Sequence, residues 1–298
     1  MYCKRIKVEN FRNIAFADVE FCKGVNVLLG ENAQGKTNLL EAIYMTSLGK
    51  SFRQGNDKDV IRFGKEYATA ENTYFDGIRD SLVSVKVFAD RRLKHIEQNG
   101  IKVKKTSDMV GGFKVVLFCP EHLSIVKEGP SIRRNFLDIA VSQIRPLYMR
   151  SLQRYNLILK QRNALIKGAE EDRATFDSTI DLFSDQLARE SAIITGYRVR
   201  YIESLKKYVS KCFSDMTQDR ELPRLEYISS SKLSECDCFD EKKCYESYYE
   251  LYSSRHEREI AAESTLWEFT RMTLKYILTA TEREFLPRRG NSVRCLWH

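Results

Sequence analysis

The run Gly30-Glu31-Asn32-Ala33-Gln34-Gly35-Lys36-Thr37 constrains this chain more than any other stretch. Its spacing, G-x-x-x-x-G-K-[ST], calls for a tight turn, a helix start and a lysine at one point. The flanks agree. Val25-Asn26-Val27-Leu28-Leu29 reads as an apolar strand, and Asn38-Leu39-Leu40-Glu41-Ala42-Ile43-Tyr44 reads as a helix. A loop so placed turns backbone N–H groups of the turn and the helix N-terminus toward a phosphate. Lys36 is then expected to reach the β- and γ-phosphates of a nucleoside triphosphate, and the Thr37 hydroxyl to ligate Mg²⁺. The expected binding residues are Gly30, Glu31, Asn32, Ala33, Gln34, Gly35, Lys36 and Thr37, with no catalytic residue assigned.

The rest of the chain is that of a soluble globular protein. Its 298 residues leave room for one large domain or two smaller ones. Apolar residues make up 43% and charged residues 30%, and no apolar run reaches the roughly 18 residues a membrane span needs. The opening Met1-Tyr2-Cys3-Lys4-Arg5-Ile6 alternates like a strand and lacks the apolar core of a signal peptide, so a cytoplasmic protein is expected. Cys3, Cys22, Cys119 and Cys212 sit singly in apolar surroundings and read as small buried groups.

The net charge of +8 points to an anionic partner, nucleic acid first. Arg91-Arg92-Leu93-Lys94-His95 and Lys102-Val103-Lys104-Lys105 flank Asn99-Gly100, a two-residue hairpin signal, and would lie side by side on one ribbon. DNA contact and a solvated edge whose lysines block aggregation fit that ribbon equally.

Residues 1–123 read as α/β. Lys4 to Phe11 and Ala15 to Phe21 alternate as an antiparallel pair, with Phe16, Val19 and Phe21 inward. Leu82 to Phe88 and Ile101-Lys102-Val103 add strands, and Val115-Val116-Leu117-Phe118-Cys119 reads as a central buried one. From about Ser124 the pattern turns helical. Pro130 opens one helix, Pro146 to Lys167 forms another, and Phe176 to about Phe213 a third, the last two as an antiparallel hairpin. Ser229 to Lys243 reads as loop and Tyr245 to Ala262 as helix, its Tyr245, Tyr248, Tyr249 and Tyr252 a core-facing stripe. Cys236, Cys238 and Cys244 are too tightly spaced and one ligand short for structural zinc. His95, His122 and His256 lack partners at functional spacing and read as solvated or packed residues.

Several elements in order resemble the RecF family, the recombination-mediator ATPases related to the heads of SMC proteins. They are Ile6-Lys7-Val8-Glu9-Asn10-Phe11-Arg12-Asn13, the run Asn26 to Glu41, Gly49-Lys50-Ser51-Phe52-Arg53, Phe118-Cys119-Pro120-Glu121-His122-Leu123, and Lys127 to Asp138. In the last, Glu128 interrupts the family's Lys-Gly step and Asn135 stands where a third Arg is common. The resemblance covers residues 1 to about 267. It implies an α/β P-loop NTPase lobe of the ABC/SMC-head type with antiparallel N-terminal strands and an inserted α-helical lobe. The expected division is an ATP-binding lobe at 1–123, a helical lobe at 124–263 and a tail at 264–298. The resemblance further implies ATP and Mg²⁺ as cofactors, an ATP-dependent homodimer, and binding to single-stranded and gapped DNA. It also implies action with RecO and RecR in loading RecA and in the SOS response. Arg12 and Asn13, in the turn between the first strands, are further candidates to face nucleotide. An unrelated nucleotide kinase would need a compact acceptor site and an Arg-rich lid, and the helices from 146 to 213 argue against it.

The tail departs from the family. After Trp267 there is neither an S-x-G-Q-Q-R signature loop nor an apolar run ending in Asp, the Walker B element that holds Mg²⁺. Read one nucleotide back, Pro287 to Arg294 is able to encode Ser-Gln-Gly-Gln-Gln-Arg-Ser, so a frameshift near codon 268 is expected. Nucleotide binding without hydrolysis follows, a non-hydrolysing ATP-binding clamp module being the alternative reading. The apolar faces of Val27 to Leu29 and Val115 to Phe118 are expected to lie partly open, lowering stability.

Overall fold

The computed structural model describes residues 1–53, 55–91, 94–119, 125, 129–218, 221–229, 233–266 and 273–280, the strand residues 221–222 and 273–280 by backbone only. His122 and the tail beyond 280 lie outside the described residues, as do Trp267 and most of the Phe118–Leu123 element. The described chain forms two compact units. One comprises residues 1–124 and 136–154, the other 125–135 and 155–298.

The first unit is built on a six-stranded antiparallel sheet of order β2-β1-β3-β4-β5-β6. Its strands are β1 (Tyr2–Phe11), β2 (Ile14–Glu20), β3 (Tyr67–Phe75), β4 (Asp80–Phe88), β5 (His95–Gln98) and β6 (Ile101–Lys102). Period-two alternation decides the inner face. Ile6, Val8, Ala68, Ala70, Val83, Val85, Val87 and Ile96 are buried against helix α1 (Lys36–Leu48), which brings Leu39, Ala42 and Met45. A polar line crosses this core. The Cys3 thiol donates to Asn72 Oδ1 at 3.2 Å, and Asn72 Nδ2 donates to Thr46 Oγ1 at 3.0 Å, tying β1, β3 and α1 together. Burial pushes the Cys3 thiol up to about 11.

The Asn99-Gly100 turn closes the β5–β6 hairpin with both residues in the left-handed region (φ 51° and 77°), as the sequence predicts. Lys94, however, does not join a basic ribbon. Its ammonium donates to the Gly49 carbonyl and pairs with Asp57 at 2.5 Å. Gly49 (φ 69°) ends α1, and a Cβ there would meet Thr106 Cγ2 at 2.2 Å. Phe16 also departs from expectation. Ala17, Val19 and Phe21 pack on the core, so Phe16, of opposite parity, points outward, 59% exposed, with Lys7 Nζ 5.9 Å from its ring centre.

Neither predicted strand Val25–Leu29 nor Val115–Cys119 forms. Both runs lack regular structure and have no ladder partner among the described residues. Leu28 still packs on the sheet core, while Val25, Val27 and Leu29 are exposed. Val115 and Leu117 pack against Tyr44, Leu48 and Val110, while Val116 is 97% exposed. The backbone of Val115 is held by a side chain instead of a strand: its N–H donates to Gln143 Oε1 at 2.8 Å and its carbonyl accepts from Gln143 Nε2 at 3.1 Å. The expected partial exposure of these faces is therefore what the structure has.

The helices are α2 (Pro130–Ile144), α3 (Pro146–Lys167), α4 (Arg173–Thr217), α5 (Glu241–Ser253) and α6 (His256–Ala261). In the second unit α4 is the long member, its N-terminus capped by Asp172, whose carboxylate accepts from the Thr175 N–H at 3.0 Å. The predicted loop ends sooner and the predicted helix breaks. A 3₁₀ turn at Asp237–Phe239 leads into α5, and Ser254-Arg255 separates α5 from α6. Tyr248 and Tyr252 face the core as expected, their hydroxyls 3.0 Å from Thr195 Oγ1 and 3.1 Å from Ser191 Oγ. A buried Arg162–Glu259 pair at 2.7 Å links α3 to α6, and Arg162 also donates to Thr265 Oγ1 and the Tyr252 carbonyl. Strands β7 (Glu221–Ile228) and β8 (Thr273–Ala280) pair antiparallel. Cys22 and Cys212 are exposed, contrary to the expectation for the single cysteines. Their neighbours in sequence are apolar, but the backbone turns the thiols outward.

Candidate functional site

The phosphate-loop residues meet at the start of α1. Gly30 (φ 146°), Ala33 (66°) and Gly35 (95°) take positive φ, and this coils the loop back on itself. Gly35 is the N-cap of α1 and offers no side-chain acceptor, so the first N–H groups of the helix have no side-chain cap. A Cβ at Gly35 would stand 3.0 Å from both Asn13 Oδ1 and Ile14 Cγ1, so the glycine keeps the β1–β2 turn against the loop.

Lys36 is folded over the loop. Its Nζ donates to the Gly30 and Glu31 carbonyls, each at 2.6 Å. Glu31, Asn32, Ala33, Gln34 and Thr37 are exposed. Asn13 pins the loop's far side: Nδ2 donates to the Ala33 carbonyl at 2.5 Å and Oδ1 accepts from Asn38 Nδ2 at 2.7 Å. A hollow of about 460 Å³ opens beside the loop, lined by Asn13 to Ala17, Val27 to Leu29, Gln34 to Lys36 and Leu39.

Arg12 takes a different place from the one expected beside Asn13. Its guanidinium is turned onto Glu41 of α1, Nη2 to Oε1 at 2.6 Å, and Nη1 donates to the Asp59 carbonyl at 2.6 Å. Glu41 is fully buried and also accepts from Arg53 Nη1 at 3.0 Å and Ser51 Oγ at 2.6 Å. This knot ties the β1–β2 turn, α1 and the segment after α1 to one carboxylate. Sequence reading missed Glu41 and the Asn13–Asn38 pair. The available signal was a lone acid inside the apolar stripe Leu39, Ala42, Met45, five residues past Lys36.

The other candidates do not converge on the loop. His95 is half-exposed, its Nε2 2.8 Å from Glu97 Oε1. His256 bonds the Tyr252 carbonyl at 3.1 Å and packs edge-on to Phe176. Cys238 and Cys244 are buried and Cys236 is exposed, and no group of metal-ligating side chains occurs among the described residues.

A glycine-capped helix start with a lysine folded over its loop, set beside an antiparallel N-terminal sheet, defines a P-loop NTPase fold. A family profile described as an AAA domain matches residues 5–194. The chain is 38% identical over 260 residues to the DNA replication and repair protein RecF of Staphylococcus carnosus, covering 87% of this chain and 69% of that one. It is 34% identical over 266 residues to RecF of Bacillus subtilis, covering 89% and 71%. Against RecF of Clostridium novyi it is 39% identical but spans 63% of that protein's length. A solved structure of the recombination mediator RecF with ATP superposes with a TM-score of 0.85 at 32% identity, over 94% of this chain and 75% of that one. The chain belongs to the RecF family.

Proposed function

We propose that this chain binds ATP with Mg²⁺ at Gly30–Thr37 and serves DNA repair and replication as an ATP-loaded DNA-binding mediator. The observation that carries the reading is the N-terminus of α1 behind Gly35, without a side-chain cap, and with Lys36 poised over the loop. Phosphate oxygens accept from an ammonium more strongly than the two carbonyls that hold it here, so Lys36 exchanges one set for the other when nucleotide enters. The N–H groups of the first turn and the helix dipole take the remaining charge. The exposed Thr37 hydroxyl is the residue that would hold Mg²⁺, whose role is to neutralise charge on the phosphates.

The wider reading follows the family. Residues 1–123 act as the ATP-binding lobe and 124–263 as the helical lobe, with 264–298 lacking signature and Walker B segments. The chain works in the cytoplasm as an ATP-dependent homodimer at single-stranded and gapped DNA. With RecO and RecR it helps RecA displace single-strand-binding protein, and through RecA it serves the SOS response. This chain binds ATP without appreciable turnover, because residues 268–298 contain no apolar run ending in Asp.

The test is nucleotide binding and phosphate release by wild type and Lys36→Ala. Wild type is expected to bind ATP, Lys36→Ala to bind about tenfold or more weakly, and both to release negligible phosphate. Unchanged affinity in Lys36→Ala would refute the site. Phosphate release stimulated by gapped DNA would refute the absence of turnover while leaving the site intact. Sequencing codon 268 in genomic DNA tests the frameshift: a single intact frame with no upstream slip removes it.

A further inference from the structure

From Ile139 to Ala169 the chain contains no Asp or Glu, though 41 acids are spread over its 298 residues. Helix α3 lies inside that stretch. Its exposed positions include Arg150, Gln153, Leu157, Lys160, Gln161, Ala164 and Lys167. At 100° per residue these fall on one face, with the three cations spread along about 25 Å of axis. Arg150, Lys160 and Lys167 make no ion pair or hydrogen bond among the described residues.

Other exposed charges on the molecule are spoken for. On α4, Arg173 is paired with Asp177 and Arg189 with Asp185. Lys206 pairs with Glu203 and Glu235, and on α5 Lys243 pairs with Asp237. On the sheet, Lys4 pairs with Asp80 and Arg5 with Asp18. A face of unpaired cations without acids repels its own kind, and a polyanion as long as the face relieves that repulsion.

We propose that the exposed face of α3 is a track for the DNA phosphate backbone, with Arg150, Lys160 and Lys167 as phosphate contacts. The proposal rests on the DNA-binding reading above and adds the surface. Duplex DNA carries one phosphate charge per roughly 1.7 Å of axis, so a 25 Å face meets about fifteen of them. The face bears Gln153 and Gln161 but no aromatic platform, so it grips the backbone and reads no sequence.

The test measures binding of the full chain, with ATP, to a fluorescein-labelled duplex across a salt series. Two charge reversals of equal size are compared: Arg150→Glu/Lys160→Glu/Lys167→Glu on α3, and Lys102→Glu/Lys104→Glu/Lys105→Glu at the β5–β6 hairpin. Circular dichroism melts and ATP affinity verify that both variants fold. The α3 variant is expected to bind about a hundredfold or more weakly and to lower the salt slope by about 3, while the hairpin variant stays near wild type. Equal losses in both variants, or an α3 variant that binds like wild type, overturn the track. Wild type that binds no duplex overturns the DNA-binding reading itself. Tighter binding of wild type to phosphatidylglycerol vesicles than to duplex, abolished by the α3 variant, reassigns the face to a lipid surface and overturns the proposal.

Discussion

The sheet β1–β6 and the two runs Val25–Leu29 and Val115–Phe118 are equally apolar, yet one is closed and the others are bare. Strand β4 buries every second residue, Val83, Val85 and Val87, between β3 on one side and β5 on the other. The run from Val115 has the same alternation, with Val115 and Leu117 turned in, but no neighbour takes its backbone groups among the described residues. Burial on one face is thus a matter of local pattern. Strand formation needs a second chain segment at 4.7–4.9 Å spacing to accept the N–H groups.

Substitution gives the largest contrast. Ile6→Asp places a charge in the closed core and is expected to abolish cooperative folding, whereas Val27→Asp, on a residue 70% exposed, is expected to shift stability within about 0.5 kcal/mol. Urea denaturation of both variants decides it. A Val27→Asp loss as severe as that of Ile6→Asp would mean the run is covered after all.

Glu41→Ala comes next. Two guanidiniums lose their shared carboxylate, and Arg53 is partly solvated, so a loss of about 3 kcal/mol is expected by the same measurement. A loss under about 1 kcal/mol would show that the knot only decorates a fold held by the apolar core. Asp172→Ala removes the cap of α4 and is expected to cost about 1 kcal/mol, read as a fall in melting temperature. Asp172→Asn should recover most of it.

The smallest effect is acid sensitivity. Thr175 holds Asp172 below the usual carboxylate range, as Arg189 does Asp185, Lys243 does Asp237 and Arg173 does Glu257. Carboxylates held low in the folded state add stability that is fully present above about pH 4. It is lost as pH falls through their lower folded values. Melting temperature is expected to be flat from neutral pH to about 5 and to decline below about 4. These groups are exposed, so the decline should be shallow and weaken in high salt.

Much was legible before any coordinates. The phosphate loop, α1, the Asn99-Gly100 hairpin and the span of α3 all follow from local rules: turn chemistry, a glycine N-cap and helical periodicity. Phe16 was misplaced because it was grouped with Val19 and Phe21 across a change of parity. Lys94 was grouped with its neighbours in sequence, yet its acceptors, Gly49 and Asp57, lie about 40 residues away in the chain. Glu41 was read only as one more helix residue, because nothing near it in sequence reveals two arginines converging from 29 and 12 positions away.

Local physics, then, was written in the chain: where glycine must coil the backbone, where a lysine follows a helix start, and which residues alternate. Only the folded arrangement decided which alternating runs found partners, which charges were neutralised and which remained bare along α3. Hydrogen-bond ladders and ion pairs join residues distant in sequence, and a pattern of neighbours carries no information about who arrives from elsewhere.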